Sequence, residues 1–198
     1  MHKTAVILDT EFTTWKGAMQ NNWGEDWQHR EIVQFGAIKI DVETFEILGR
    51  FDKLVKPAIN TELSNFFEEL TGITNADVQA NGRDFAAVYQ DFIDFADGDT
   101  VYCYGWDGKV IAENCTLIDR PAWRNDLEIN SLHDYFEGHG VDTSKINSGR
   151  LARYFEIPLE VFEHNALDDV YSIHAALKHL HEKGAETPFD VNQIKKAS

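Results

Sequence analysis

Residues 4–11, TAVILDTE, decide the architecture. The first five are a short apolar run rich in β-branched side chains, the composition of a buried strand. The run stops abruptly at Asp9-Thr10-Glu11. Two carboxylates therefore stand at the C-terminal end of a buried strand, the edge where open α/β sheets place their ligands. Residues two apart on a strand point to the same face, so Asp9 and Glu11 are able to address one cation.

The pattern recurs downstream. Residues 100–104 (TVYCY) read as a second buried strand, ending in Gly105-Trp106-Asp107. Between the two lie a polar, Trp-rich loop over 12–30 and two strands over 31–41 and 46–55. The four residues 42–45 join those strands as a hairpin, and Pro57 closes the unit. A helix opens near Thr61, with Ser64 a second candidate cap, and Gly72 ends it. Phe85, Val88, Phe92 and Phe95 repeat at helical spacing, and Asp97-Gly98-Asp99 is a turn. Residues 110–117 read as a helix, 127–132 as a short strand, and 148–155 and 165–181 as helices. Three strands followed by strands alternating with helices predict an α/β fold, a central mixed sheet of about five strands flanked by helices. No linker or repeat interrupts it, so residues 1–182 form one domain, with 183–198 a polar, fraying tail.

Composition narrows the function. The chain has 198 residues, enough for one full core, and carries 34 acidic against 18 basic side chains, a net charge of −16. That balance speaks against wide, sequence-blind gripping of duplex DNA, which needs a Lys/Arg stripe. A short nucleic-acid end held through divalent cations is compatible with it, because the ions reverse the local sign. Cys103 and Cys115 are too few for a disulfide framework and lack zinc-type spacing, which favours a reducing, cytoplasmic setting. No apolar run reaches the roughly 18 residues of a membrane span, and the N-terminus does not read as a signal peptide.

Asp9, Glu11 and Asp107 would converge with Asp169, five residues after His164, if the two buried strands are neighbours. Carboxylate oxygens are hard ligands suited to Mg²⁺ or Mn²⁺, and four around one point fit two ions about 4 Å apart. Each signal alone is weak: an Asp at a strand end is more often a turn or helix cap, and one histidine among eight is more often packed or solvated. Their joint order and placement outweigh the ordinary readings.

These residues carry a resemblance. Asp9-Thr10-Glu11-Phe12-Thr13, Trp106-Asp107 and His164-Asn165-Ala166-Leu167-Asp168-Asp169 are similar to the three motifs of the DEDDh superfamily of 3′→5′ exonucleases (DnaQ/RNase T-like), which has a ribonuclease-H-like fold. Residues 56–64 (KPAINTELS) and 70–74 (LTGIT) resemble the eri-type branch, the histone-mRNA 3′-end exonucleases. The similarity runs from about residue 4 to 180. It selects Asp169 rather than Asp168 as the ligand. It implies two Mg²⁺ or Mn²⁺ ions held by Asp9, Glu11, Asp107 and Asp169, with His164 as general base, and release of nucleoside 5′-monophosphates from a single-stranded 3′ end, RNA favoured over DNA.

The resemblance also implies a terminal-base pocket of Phe66 and Leu70, closed by Trp106 with Thr71 nearby. Phe66 and Leu70 share a helix face, although such a pair is as readily core. Phe12 and Thr13 would offer backbone groups to the 3′-hydroxyl. Alternatives are a DNA-proofreading subunit and an RNA-end adaptor without turnover. His174, His179 and His181 read as a solvated helix end, and Trp15, Trp23 and Trp27 as a loop that touches substrate or a partner, or folds back over the sheet edge.

Overall fold

The computed structural model describes residues 3–189. Six strands form one sheet in the order β4-β3-β2-β1-β5-β6. β1 (Thr4–Phe12) lies at its centre, antiparallel to β2 (Ile32–Asp41) and parallel to β5 (Val101–Cys103). β3 (Ile47–Lys56) pairs antiparallel with β2, and β6 (Ile129–Ser131) parallel with β5. β4 (Arg83–Asp84) is the sixth strand, a two-residue extension along β3 that is too short for a sequence period to reveal.

Alternate residues of β1 feed two cores. Val6 and Leu8 pack under α3 (Phe85–Ala96) and α4 (Asp107–Leu117). Ala5 and Ile7 pack under α7 (Ala166–Glu182) with Ile38, Ile40 and Tyr102. β1 and β2 are buried almost end to end, which is why residues 4–8 read as an apolar run and β2 keeps apolar side chains on both of its faces. Each fully buried aliphatic or aromatic side chain contributes roughly 1.5–3 kcal/mol of transfer free energy. On the α3 side Phe35 anchors an aromatic cluster with Phe51, Phe85, Tyr89 and Phe92, ring centroids 5.4–6.5 Å apart.

Several boundaries differ from those the sequence predicts. β1 runs four residues beyond Leu8, so Asp9 and Glu11 belong to the strand itself. Of the two cap candidates, Ser64 caps α1 (Asn65–Thr71), accepting from the Phe67 amide, and Gly72 ends it at φ 74°. α2 (Asn75–Asn81) and α5 (His133–Gly138) leave no mark in the sequence pattern; each buries a single side chain, Val78 and Phe136, which gives no apolar period. α4 starts at Asp107 rather than Val110, and the helix expected over 148–155 is a 3₁₀ turn, Ser148–Arg150, leading into α6 (Leu151–Tyr154). Beyond α7, Phe189 is buried against Phe45 and Tyr102. The expected polar tail therefore carries one core residue; residues 190–198 lie outside the described part. Among the described residues no helix is long and apolar enough to cross a membrane.

Candidate active site

The strand pairing brings the acids together. In register, Asp9 faces Gly36 and Glu11 faces Gln34, all on the α7 side of the sheet, and a bulge follows between Glu11 and Phe12. Bulges re-aim side chains and are common beside active sites. Gly36 is what lets α7 descend. A Cβ there would overlap the backbone of Ala166 and Leu167. Gln34 completes the dock: its Oε1 accepts from the Ala166 amide at 3.0 Å and its Nε2 donates to Asp52 at 2.9 Å.

The motif around His164 then divides its labour. Asn165 caps α7, accepting from the Asp168 amide. Asp168 turns back to accept from the Phe162 amide at 2.9 Å, holding the preceding loop. Asp169, one residue on, is 2% exposed and faces the strand acids. The six-residue motif thus uses one aspartate as a loop clamp and the next as a site group. His164 takes a left-handed conformation, φ 65°, and its amide donates to Asp169 at 3.3 Å. Such a φ is uncommon outside glycine and marks a constrained position.

Carboxylate oxygens of Asp9, Glu11 and Asp169 lie within 4.8 Å of one another. Asp107 belongs to the opposite layer and reaches the site over the strand end. Its Oδ1 accepts from the Thr10 amide at 2.9 Å and the Thr10 hydroxyl at 2.7 Å. Thr10 faces α4, so one strand segment directs Asp9 and Glu11 to one side and tethers Asp107 from the other.

No Lys, Arg or His pairs with any of these four carboxylates among the described residues. Two unit charges at that spacing repel by about 3.5 kcal/mol at an effective dielectric near 20. Burial, then Asp107, Asp169 and Glu11, raises the Asp9 carboxyl well above the usual range. Burial, then Asp169 and Asp107, does the same to Glu11. Asp107 is raised by burial, with the Thr10 bonds opposing. Asp169 is raised to about 7, again by burial, with the Ser148 hydroxyl and the His164 amide opposing. Buried charges are ordinarily paired or coordinate a metal, and this oxygen-only donor set fits a hard divalent cation. His164, half-buried, is shifted down from 6.5, chiefly by burial.

Two site neighbours carry no signal in the sequence. The Ser148 hydroxyl donates to Asp169 Oδ2 at 2.7 Å. Gly149 lies under the same carboxylate, and a Cβ there would overlap Asp169 Oδ1. Serine at a helix start reads as a cap, which hides this contact. Ser148→Ala should raise the Asp169 pKa further and so weaken divalent-ion binding, by about ten-fold as outer-shell partners commonly do. Activity against ion concentration would show it; an unchanged midpoint refutes the role.

The other predicted residues surround the acids unevenly. Phe66 is 37% exposed and Leu70 half-buried, whereas Phe67 and Thr71 point into the protein. The Thr71 hydroxyl donates to the Phe67 carbonyl and accepts from the Ile73 amide. Trp106 is 58% exposed. Phe12 packs against Trp23. The Thr13 amide donates to Glu31, its carbonyl accepts from the Trp23 indole, and its hydroxyl donates to His29. The Trp-rich loop thus folds back on the strand end, with Trp15 edge-on to Trp27 at 4.8 Å. Glu31, buried, accepts from the amides of Ala58, Ile59 and Asn60 and fixes the approach to α1. His174 reaches the Phe45 carbonyl and His181 packs on the Phe45 ring. Cys103 and Cys115 are buried free thiols.

A mixed α/β sheet that gathers buried, uncompensated carboxylates at the end of its central strand defines a candidate divalent-cation site of oxygen ligands. The chain belongs to the RNase T exonuclease family, whose model matches residues 6–177. It is 26% identical over 168 residues to 3′-5′ exoribonuclease 1 of Mus musculus, a match covering 79% of this chain and 48% of that relative. It therefore spans about half that relative's length. The human 3′-5′ exoribonuclease 1 is 44% identical over 48 residues, 24% of this chain and 14% of the relative. Among solved structures, the nuclease domain of 3′hExo, a DEDDh family member bound to rAMP, superposes with a TM-score of 0.79 at 25% identity, covering 96% of each chain. Exonuclease I shares the fold at a TM-score of 0.68 and 22% identity, covering 91% of this chain and 41% of that one.

Proposed function

We propose that this chain is a metal-dependent 3′→5′ exonuclease that releases nucleoside 5′-monophosphates from single-stranded ends, with RNA favoured. One observation carries the reading: Asp9, Glu11 and Asp169 are buried within 4.8 Å of one another, and among the described residues no cationic side chain pairs with them. Two Mg²⁺ or Mn²⁺ ions held by these three and Asp107 would supply the positive charge and water activation that phosphodiester hydrolysis needs near neutral pH.

The chain's own residues do the rest. His164, kept neutral near pH 7 by burial, takes the proton of the attacking water. The hydrogen bond that its backbone amide donates to the Asp169 carboxylate holds this residue beside the acids. Phe66 and Leu70 form an apolar platform for the terminal base, with Trp106 opposite and Thr71 fixing the helix end beneath. Phe12 lines the 3′-hydroxyl, and Thr13 holds the turn that presents it. The preference for RNA rests on the relatives, which are exoribonucleases, and on the 3′hExo nuclease domain seen with rAMP. The two free cysteines fit a reducing, cytoplasmic setting.

His164→Ala should lower kcat by roughly 10²- to 10⁴-fold, the usual worth of a positioned base, with ion binding retained. A variant as active as the parent contradicts the assignment. Substrate class is tested with matched single-stranded RNA, single-stranded DNA and duplex, read as 5′-monophosphate released. The expected order is RNA, then DNA, then duplex; DNA hydrolysed fastest points to a proofreading-type enzyme, and ion binding without hydrolysis to an adaptor.

A further inference from the structure

Two grooves are lined by neighbours of the site carboxylates, Gln34 beside Glu11 in one and Trp106 and Gly108 beside Asp107 in the other, and their charges differ. One, of about 390 Å³, runs between β3 and α2 and is lined by Asp52, Asp77, Lys53 and Asn165 among others. It holds two carboxylates against one ammonium, a poor path for a polyanion. The other, of about 300 Å³, opens at the C-terminal ends of β5 and β6. Its lining includes Gly105, Trp106, Gly108, Lys109, Ile129 and Ser131, and its charged side chain is Lys109. Asp107 lies in the chain between Trp106 and Gly108, two residues of the lining, so the groove adjoins the segment that carries this carboxylate.

Two cations lie against the Trp106 ring that lines this groove. The Arg30 guanidinium lies 5.4 Å from the Trp23 ring and 6.0 Å from the Trp106 ring. Lys109 Nζ lies 5.4 Å from the Trp106 ring. Arg30 is neutralised by Glu113, whereas Lys109 is exposed and makes no ion pair among the described residues. In a chain of net charge −16, an unpaired ammonium beside an exposed indole at the end of an acidic site is the combination that single-stranded nucleic acids use: a π-face for a base and a point charge for a phosphate.

We propose that the nucleotide on the 5′ side of the scissile bond occupies the β5–β6 groove, with the Lys109 ammonium on its phosphate and Trp106 as the wall shared with the terminal-base pocket. This rests on the exonuclease reading and adds the direction in which the strand leaves: past α4, away from Asp52 and Asp77. A single-stranded path suits a narrow groove with one cation better than a duplex, which calls for a broader basic surface.

The test compares the parent with Lys109→Glu and Lys109→Met on two substrates. One is a 5′-labelled single-stranded oligonucleotide. The other is a nitrophenyl ester of a nucleoside 5′-monophosphate, which has no upstream phosphate. Lys109 is exposed, so neither substitution burdens the core; thermal unfolding verifies this. The ratio of oligonucleotide KM to ester KM should rise about ten-fold in Lys109→Glu and about three-fold in Lys109→Met. In Lys109→Met the slope of log KM for the oligonucleotide against log salt should fall by about 0.7, the loss of one single-strand phosphate contact. An unchanged ratio and slope, or parallel changes on both substrates, overturns the groove assignment while leaving the exonuclease reading intact. A parent chain that hydrolyses neither substrate overturns both.

Discussion

Asp9→Asn is expected to abolish exonuclease activity, by at least about 10³-fold, and at the same time to stabilise the metal-free protein. The two effects share a cause. Asp9 is 7% exposed, its carboxyl is raised first by burial and then by Asp107, Asp169 and Glu11, and it makes no ion pair among the described residues. Neutralising it removes a ligand from the proposed ion site and also one member of a repelling cluster. A gain of even 1 kcal/mol amounts to about 2–4 °C in thermal midpoint for a domain of this size.

The pH dependence follows with a definite sign. Burial pushes the Asp169 carboxyl up to about 7, from an ordinary carboxylate value of 3.8, and Asp9, Glu11 and Asp107 are also raised. Between those limits the folded state binds more protons than the unfolded state, so stability falls as pH rises. The metal-free parent should therefore unfold at a lower temperature at pH 7.5 than at pH 5, and Asp9→Asn should flatten that slope. Mg²⁺ or Mn²⁺ at a hundred times its dissociation constant should restore about 2.7 kcal/mol per site at the higher pH. Calorimetric scans at both pH values decide the matter. A parent whose midpoint rises with pH in the absence of metal contradicts the repulsion.

Gly36→Ala should be the most damaging single substitution away from the acids. The added methyl would overlap the backbone of Ala166 and Leu167, which cannot rotate away as a side chain can. Overpacking of this kind costs about 3 kcal/mol, or roughly 6–12 °C in midpoint. The residue pairs directly with Asp9, so the strain falls where α7 hands Asp169 and His164 to the strand acids. A displacement near 1 Å is enough to reduce turnover about 10²-fold. Gly138→Ala is the control: it has open space around it and an ordinary φ, and should leave both stability and activity unchanged. Equal behaviour of the two variants would refute the docking role of Gly36.

Much of the fold and of the site is legible in the amino-acid sequence. The apolar run ahead of Asp9, and its echo ahead of Asp107, place acids at strand ends because a buried strand must stop where charge begins. The parallel pairing of β1 with β5 is the long-range fact that unites them, and no local period encodes it. The apolar period places the start of α4 too late, because the helix opens on Asp107-Gly108-Lys109, ahead of its first apolar residue. Asp107 therefore reaches the cluster from the α4 side, tied to Thr10 and close enough to raise the carboxyls of Asp9 and Glu11. Ser148, Gly149, Gln34 and Gly36 are hard to recognise as site residues because their roles are contacts across the fold. An interior glycine in a strand does mark a close approach, and Gly36 carries that signal. Phe66 and Phe67 show the complementary limit: adjacent rings on a short helix, one exposed and one buried, with only their spacing to the next turn to separate them.

Whether the buried carboxylates form the ion-binding centre of a 3′→5′ exonuclease is tested most directly on a 5′-labelled single-stranded RNA. With Mg²⁺ or Mn²⁺ the purified chain should shorten it one nucleotide at a time from the 3′ end, releasing 5′-monophosphates, and chelation should stop the reaction. Intact RNA under all ion conditions, internal cleavage, or shortening that persists in chelator would contradict it.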